Sequence, residues 1–157
     1  SVKVLPLLLL KKHFPNHEIL GTHPIFGPQS GKDGIVGLPI VVCNVSFSDE
    51  SYSEIVSYFK YVLQLEVIEK TPEEHDSEMA YVQGLSHFVG RALSIMQIKD
   101  FESATKSYKQ LLALENLVGS DSWELYKTIQ NANPYTQEVR NTFLETLQDL
   151  ETKLRTD

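Results

Sequence analysis

The order of apolar and polar positions changes character once along the chain, near residue 71. Before that point short apolar runs alternate with turn residues; after it apolar positions recur three and four apart, which is helical spacing. Around Val4-Leu5-Pro6-Leu7 the sequence predicts a short helix capped by Ser1, with Pro6 in or near its first turn, Lys11 and Lys12 at its end, and Phe14-Pro15-Asn16 breaking it. Residues 17–22 predict a strand, 23–37 a loop, and 38–45 a second strand rich in β-branched residues. Ile55, Val56, Phe59, Val62 and Leu63 then take helical spacing, and Leu65-Glu66-Val67-Ile68-Glu69 alternates like a third strand.

Thr71-Pro72-Glu73-Glu74 has the form of a capping box with proline at the first helical position, and it predicts a long helix running to about residue 98. Further helices are expected from about 100 to 118, from Asp121 to Asn131 with Asp121 and Glu124 as the capping signal, and from Pro134 to near the C-terminus after an Asn133 cap. The expected architecture is an α/β part over residues 1–71 and an all-α part over residues 72–157, without internal repeats or low-complexity segments.

Composition narrows this picture. At 157 residues and 41% hydrophobic content the chain can bury a real core. A net charge of -7 and the absence of any Lys or Arg cluster argue against a nucleic-acid surface. The single cysteine, Cys43, sits in the apolar run Ile40-Val41-Val42-Cys43, where a thiol behaves as a small buried hydrophobe; a reducing, cytoplasmic setting fits. The apolar run Val4–Leu10 is far short of the roughly 20 residues a bilayer span needs, and no small-residue cleavage site follows it, so neither a membrane span nor a signal peptide is expected. The opening Ser1-Val2-Lys3, without an initiator methionine, leads one to expect a processed chain or a piece of a longer one.

Two constellations carry candidate chemistry. In GTHPIFGPQSG (21–31), Pro24 pushes His23 toward extended geometry at a strand end beside an open loop, which is a rigid way to display an imidazole for proton work near neutral pH. The loop's glycines at 27, 31, 34 and 37 have neither GxGxxG spacing nor a Walker lysine, so they do not read as a phosphate cradle; a flexible connection is the plainer account. In the long helix Gln83, His87, Arg91 and Ser94 follow at spacings of four, four and three, with Ser86 and Gly90 beside them and an apolar stripe of Val82, Leu85, Val89, Leu93 and Met96 next door. That polar row is either a solvated face or the wall of a polar pocket, and Gly90 would let a ligand or another helix approach closely. Glu73, Glu74, His75 and Asp76 suggest the acidic first turn that a helix dipole favours rather than a metal site. Trp123, Leu125, Tyr126 and Ile129 fit a core stripe.

Four segments in order, Ser1-Val2-Lys3, THPIFGPQSGKDG (22–34), EEHDSEMAYVQGLSHFVGRAL (73–93) and LLALENLVGSDSWELYKTIQNANPY (111–135), resemble the prephenate and arogenate dehydrogenases of tyrosine biosynthesis, the plant-like branch most. The resemblance implies the C-terminal part of a Rossmann-like domain followed by a helical dimerisation domain, with the dinucleotide fingerprint lying upstream of Ser1, so that this stretch alone binds NAD or NADP poorly and is inactive by itself. It implies oxidative decarboxylation of prephenate or arogenate in a homodimer, in the cytoplasm or, in a plant, the plastid. His23 falls on the family's catalytic histidine. Ser1 falls on the serine that orients it and lies near the nicotinamide, with Thr22 and Gly27 as further cofactor contacts. Gln29, Gln83, Ser86, His87 and Arg91 fall on or beside the substrate-binding positions.

This chain departs from that pattern at three places. Gln29 stands where an acid is common, and Leu117 where many bacterial members place a carboxylate-binding arginine, which leaves Arg91 as the expected carboxylate partner. Cys43 lies about where plant-type arogenate enzymes carry an aspartate, a tilt toward prephenate. The alternative to an enzyme is a non-catalytic helical dimerisation or tyrosine-sensing module without a cofactor half.

Overall fold

A computed structural model of the chain describes residues 1–27, 30–119 and 121–156. The backbone packs as two compact units, Ser1–Asp76 and Ser77–Asp157.

In the first unit, helix α1 (Val4–His13) precedes strands β1 (Leu20–Pro24) and β2 (Pro39–Asn44). Helix α2 (Asp49–Ser57) follows and continues as a π segment (Tyr58–Val62); then come strand β3 (Glu66–Glu69) and the opening of α3 (Pro72–Met79). The sheet has the order β1-β2-β3, with β1 antiparallel and β3 parallel to β2. The parallel pair is closed by a crossover through α2, whose start is capped by Ser48 accepting the Ser51 N–H at 3.2 Å.

Central β2 is covered on both faces, so it reads as a continuous apolar run rather than an alternation. Val41 and Cys43 pack on one face with Leu7 of α1 and Ile19. Ile40 and Val42 pack on the other with Leu65 and, beyond it, Tyr52 and Phe59. The register pairs Gly21 with Cys43 and His23 with Val41, so Gly21 and His23 look toward the α1 side. A side chain at Gly21 would collide there: a Cβ would stand 2.7 Å from Leu7 Cδ1 and 3.0 Å from Lys3 Cδ. The missing side chain is what lets the start of α1 lie against β1.

Several expectations are corrected in this unit. Strand β1 begins at Leu20 rather than residue 17, so His23 lies within the strand. Ser1 does not cap α1: Lys3 occupies the cap position and makes no side-chain cap bond. The first amides of α1 are instead satisfied from far along the chain, by Asp76.

At the start of α3 the capping box forms as the sequence predicts. Glu74 Oε2 accepts the Thr71 N–H at 2.8 Å, and Thr71 Oγ1 accepts the Glu74 N–H at 3.1 Å.

The second unit is helical. The long helix expected after Thr71 is present but interrupted: α3 gives way to a π segment (Ala80–Leu85) before α4 (Ser86–Met96), which ends on left-handed Gln97 with φ of 54°. A π turn bonds i to i+5 and so resets the helical phase. The rows drawn straight through residues 82–96 therefore break between the π segment and α4: His87, Arg91 and Ser94 keep their spacing within α4, Gln83 and Val82 lie in the π segment, and Val82 and Met96, expected on the apolar stripe, are exposed.

Helices α5 (Lys106–Val118), α6 (Trp123–Ala132) and α7 (Thr136–Thr156) complete the chain. α5 starts at Lys106 rather than about residue 100, because Thr105 supplies the cap by accepting the Tyr108 N–H. α6 is capped by Ser122, not Asp121, at 3.2 Å from the Leu125 N–H. Asn133 Oδ1 accepts the Tyr135 N–H at 2.9 Å just ahead of α7. The neighbour that Gly90 admits is a helix, since a Cβ there would overlap Val118 of α5. Buried Gln130 ties three elements, donating from Nε2 to the Gly84 carbonyl at 2.7 Å and accepting from Arg140 at its own backbone and side-chain oxygens. Among the described residues no helix is long and apolar enough to cross a membrane.

Candidate active site

His23 is brought to its setting by β1 and the register just described. Its ring is half-buried on the α1 side of the sheet, and its Nδ1 lies 2.8 Å from Nε2 of His75. The two rings meet edge to face, with centroids 5.0 Å apart. His75 is fully buried on the first turns of α3, and its Nδ1 lies 2.7 Å from Oδ1 of the equally buried Asp76.

Asp76 closes the chain of contacts onto α1. Its Oδ1 accepts the Lys3 N–H and its Oδ2 the Val4 N–H, each at 2.8 Å. These amides are orphan donors of a helix start, where the helix dipole also favours an anion. Burial works against the Asp76 charge, but the hydrogen bonds from His75, Val4 and Lys3 outweigh it and hold the carboxyl below its ordinary range. His23 responds in the opposite sense. Burial first, then the positive charges of the Ser1 amino group and Lys3 and the neighbouring His75, push it down to about 3 against the opposing pull of Asp76. At neutral pH His23 is an uncharged imidazole.

Of the residues expected at this site, the structure places His23, Ser1 and Thr22 in the same unit. Ser1 precedes α1 and is exposed; the side chain engaging His23 Nδ1 is that of His75. Thr22 is exposed on β1. Gly27 donates its N–H to Ser30 Oγ at 2.9 Å. Gln29 lies outside the described residues. His75 and Asp76, set aside in the sequence as part of an acidic first turn, are the partners that sequence reasoning missed.

The described glycines of the loop after β1 do not form a cradle for a dinucleotide's phosphates. Three of the loop's glycine amides are already used: Gly31 N–H bonds the Gly27 carbonyl, Gly34 that of Gly31, and Gly37 that of Gln64. With those donors consumed, these three glycines offer no nest of free N–H groups to a ligand. Cys43 is fully buried, and burial pushes its thiol up to about 11, so it stays neutral.

The remaining expected residues lie in the second unit. His87 Nδ1 lies 3.0 Å from Asp121 Oδ2 without the alignment of a hydrogen bond. Burial, with help from Arg91, lowers the His87 pKa against the pull of Asp121. Arg91 Nη2 donates to the Asp121 carbonyl, and its guanidinium lies 5.1 Å from the ring centroid of Trp123 and 5.3 Å from that of Tyr126. Its Nε is buried without a partner among the described residues, which leaves one donor of the fork unspent there. Trp123 is 55% exposed and Leu125 is exposed too, which corrects the expected core stripe. Of that set Ile129 alone is buried, while Trp123 stacks edge-on against Tyr126 and flanks Arg91. Ser86 opens α4 and Gln83 lies in the π segment, both half-buried.

Residues 92–157 match the family model described as TYRAAT1-like, C-terminal domain. Arogenate dehydrogenase 2, chloroplastic, of Arabidopsis thaliana is 37% identical over 139 residues, an alignment covering 85% of this chain and 39% of that protein. The chain thus spans well under half the length of this relative. Among solved structures, Synechocystis arogenate dehydrogenase superposes with a TM-score of 0.71 at 19% identity, over 99% of this chain and 60% of that one. Prephenate dehydrogenase from A. aeolicus, solved with hydroxyphenyl propionate and NAD+, gives 0.71 at 19%, over 98% and 57%. At that identity the likeness speaks for the fold: the end of a Rossmann-like domain followed by a helical domain. Motifs, fold and relatives support the arogenate/prephenate dehydrogenase family, in a C-terminal portion of such a protein.

Proposed function

We propose that the protein containing this chain carries out the oxidative decarboxylation of prephenate to 4-hydroxyphenylpyruvate, with His23 as the proton acceptor. The observation that supports this reading is the setting of His23: an uncharged imidazole fixed on a strand and held through Nδ1 by a buried partner, with Nε2 left for a substrate. NAD or NADP, near Ser1, Thr22 and Gly27, would supply the acceptor for the hydride on the ring carbon that bears the hydroxyl. His23 Nε2 takes the hydroxyl proton as that carbon becomes a carbonyl. A weak base suffices, because an alcohol losing hydride becomes a protonated ketone and sheds its proton readily. The ring carboxylate then leaves as carbon dioxide, its bonding pair enters the ring, and the phenolate oxygen recovers a proton from His23. The ledger closes at one hydride transferred and one carbon dioxide released.

Ser1, Thr22 and Gly27 are assigned as contacts near the nicotinamide, and Gln29, Gln83, Ser86, His87 and Arg91 as substrate-binding residues. Arg91 is the carboxylate partner through its unspent Nε. Homodimerisation is assigned to the helical unit, where Leu144, Leu147, Leu150 and Leu154 of α7 expose an apolar row. A cytoplasmic or plastid location completes the proposal.

Arogenate is the second reading, favoured by the likeness to the arogenate dehydrogenase of Arabidopsis thaliana. The neutral, buried Cys43 offers no anion to an amino group, which favours prephenate. Assaying the full-length protein with each substrate and each cofactor separates the two. A kcat/KM for arogenate well above that for prephenate would replace the first reading by the second, and no turnover of either would reject both.

A further inference from the structure

We infer that Asp76 and His75 are positioning residues that fix His23 as its Nδ1–H tautomer, so that Nε2 is the bare nitrogen facing the hydroxyl proton. This rests on the reading of His23 as the base. The argument runs along four groups. The Lys3 and Val4 amides of α1 are donors only, and both point at Asp76. Asp76 is therefore an acceptor on both oxygens, and the His75 Nδ1 that lies 2.7 Å from it must carry the hydrogen. The relay then has the other ring nitrogen of His75, Nε2, as its acceptor. His23 Nδ1, 2.8 Å away, has to donate into it. Each ring transmits the choice made by the carboxylate, so a helix start decides which nitrogen of His23 is free. Both His75 and Asp76 are fully buried, which denies water the chance to substitute for either partner.

The arrangement also gives Asp76 a place in the reaction it does not touch. When His23 Nε2 takes the proton the ring becomes cationic, and the carboxylate beyond His75 stabilises it through two hydrogen bonds already in place, with no reorganisation. The charged and titratable groups around His23 are the Ser1 amino group, Lys3, His75 and Asp76, and of these Asp76 alone is anionic.

The test reads the tautomer directly, by long-range ¹H–¹⁵N correlation of the histidine rings in the full-length protein, with His23→Asn identifying the signal. The expected result is a protonated Nδ1 and a bare Nε2 on His23. The reverse tautomer, or a His75 protonated on both nitrogens, overturns the inference whether or not any variant folds. Asp76→Ala removes the acceptor at Oδ1 that His75 Nδ1 shares with the Lys3 amide, so the His75 tautomer is no longer fixed and the unmixed Nδ1–H signature of His23 should be lost. With thermal melts showing a folded variant, kcat is expected to fall on the order of 10² to 10⁴, as when a triad carboxylate is made neutral, with KM little changed. A folded Asp76→Ala variant that keeps an unmixed Nδ1–H signature refutes the relay. Loss of the assigned reaction is read separately: an Nδ1–H signature in a protein that turns over neither prephenate nor arogenate sinks the proposed function while leaving the tautomer result standing.

Discussion

His23 on β1 and His75 on α3 are 52 positions apart in sequence, yet their ring nitrogens stand 2.8 Å from each other. The contact exists because three tertiary features coincide. The antiparallel register turns His23 toward the α1 face, Gly21 lets α1 settle on that face, and Asp76 ties the start of α1 to α3.

Replacing His23 with asparagine removes the proton acceptor while keeping a polar group of similar reach. Turnover by the full-length protein should fall on the order of 10² to 10⁴ with the melting temperature nearly unchanged. Near wild-type turnover in that variant would remove His23 from the mechanism.

Acid should destabilise the first unit through the same groups. His23 has a folded pKa of about 3, below its ordinary 6.5, so the unfolded state binds more protons between those values and stability falls as pH drops through that window. Asp76, lowered when folded, adds a loss of the same sign at more acid pH. Melting temperature against pH should therefore slope downward below about 6.5, and the slope should flatten in His23→Asn. A wild-type protein equally stable at pH 7 and pH 4 would contradict the buried, neutral state of this ring.

Arg91→Ala should raise KM about 10- to 100-fold with the fold intact, the range expected for hydrogen bonds to a charged group. Arg91→Lys should recover little, because a point charge replaces neither the fork nor the stacking on Trp123 and Tyr126. An unchanged KM in both variants would reject Arg91 as the carboxylate partner.

Gly90→Ala tests the helix contact in the second unit. Helix propensity alone would make alanine stabilising by up to about 1 kcal/mol, but the added methyl overlaps Val118. Overpacking of this kind costs typically about 1–3 kcal/mol, so the net effect on the melting temperature should be a decrease. An increase would mean that α4 and α5 are not packed closely at Gly90.

Placing aspartate at Leu147 and Leu154 together should abolish a dimer built on α7, since the apolar row would then carry two charges per protomer. Light scattering of the purified full-length protein gives the answer. A dimer of unchanged stability would place the interface elsewhere.

Local chemistry made much of the fold legible from sequence. The Thr71–Glu74 capping box, the apolar run of β2, the alternation of β3 and the change to helical spacing beyond residue 71 all depend on neighbours a few positions apart, and all appear in the structure. His23 was visible for the same reason, because its display follows from the proline after it. The partners of His23 were not. His75 and Asp76 sit in an acidic first turn that looks like ordinary dipole compensation, and the one local hint was their spacing of four from the apolar Met79 and Ala80, which puts them on a buried helix face.

The sequence by itself determined which segments are helix or strand, the strand that carries His23, and the family whose motifs the chain bears, because propensity, capping and side-chain period act over a handful of residues. The tertiary structure decided the cap of α1, the phase of the helix beyond the π segment at Ala80–Leu85, and the contact of His23 with His75 and Asp76. Each of these depends on a hydrogen bond or a packing contact whose geometry exists only once distant elements have closed on one another, and buried polar groups take whichever partner that closure supplies.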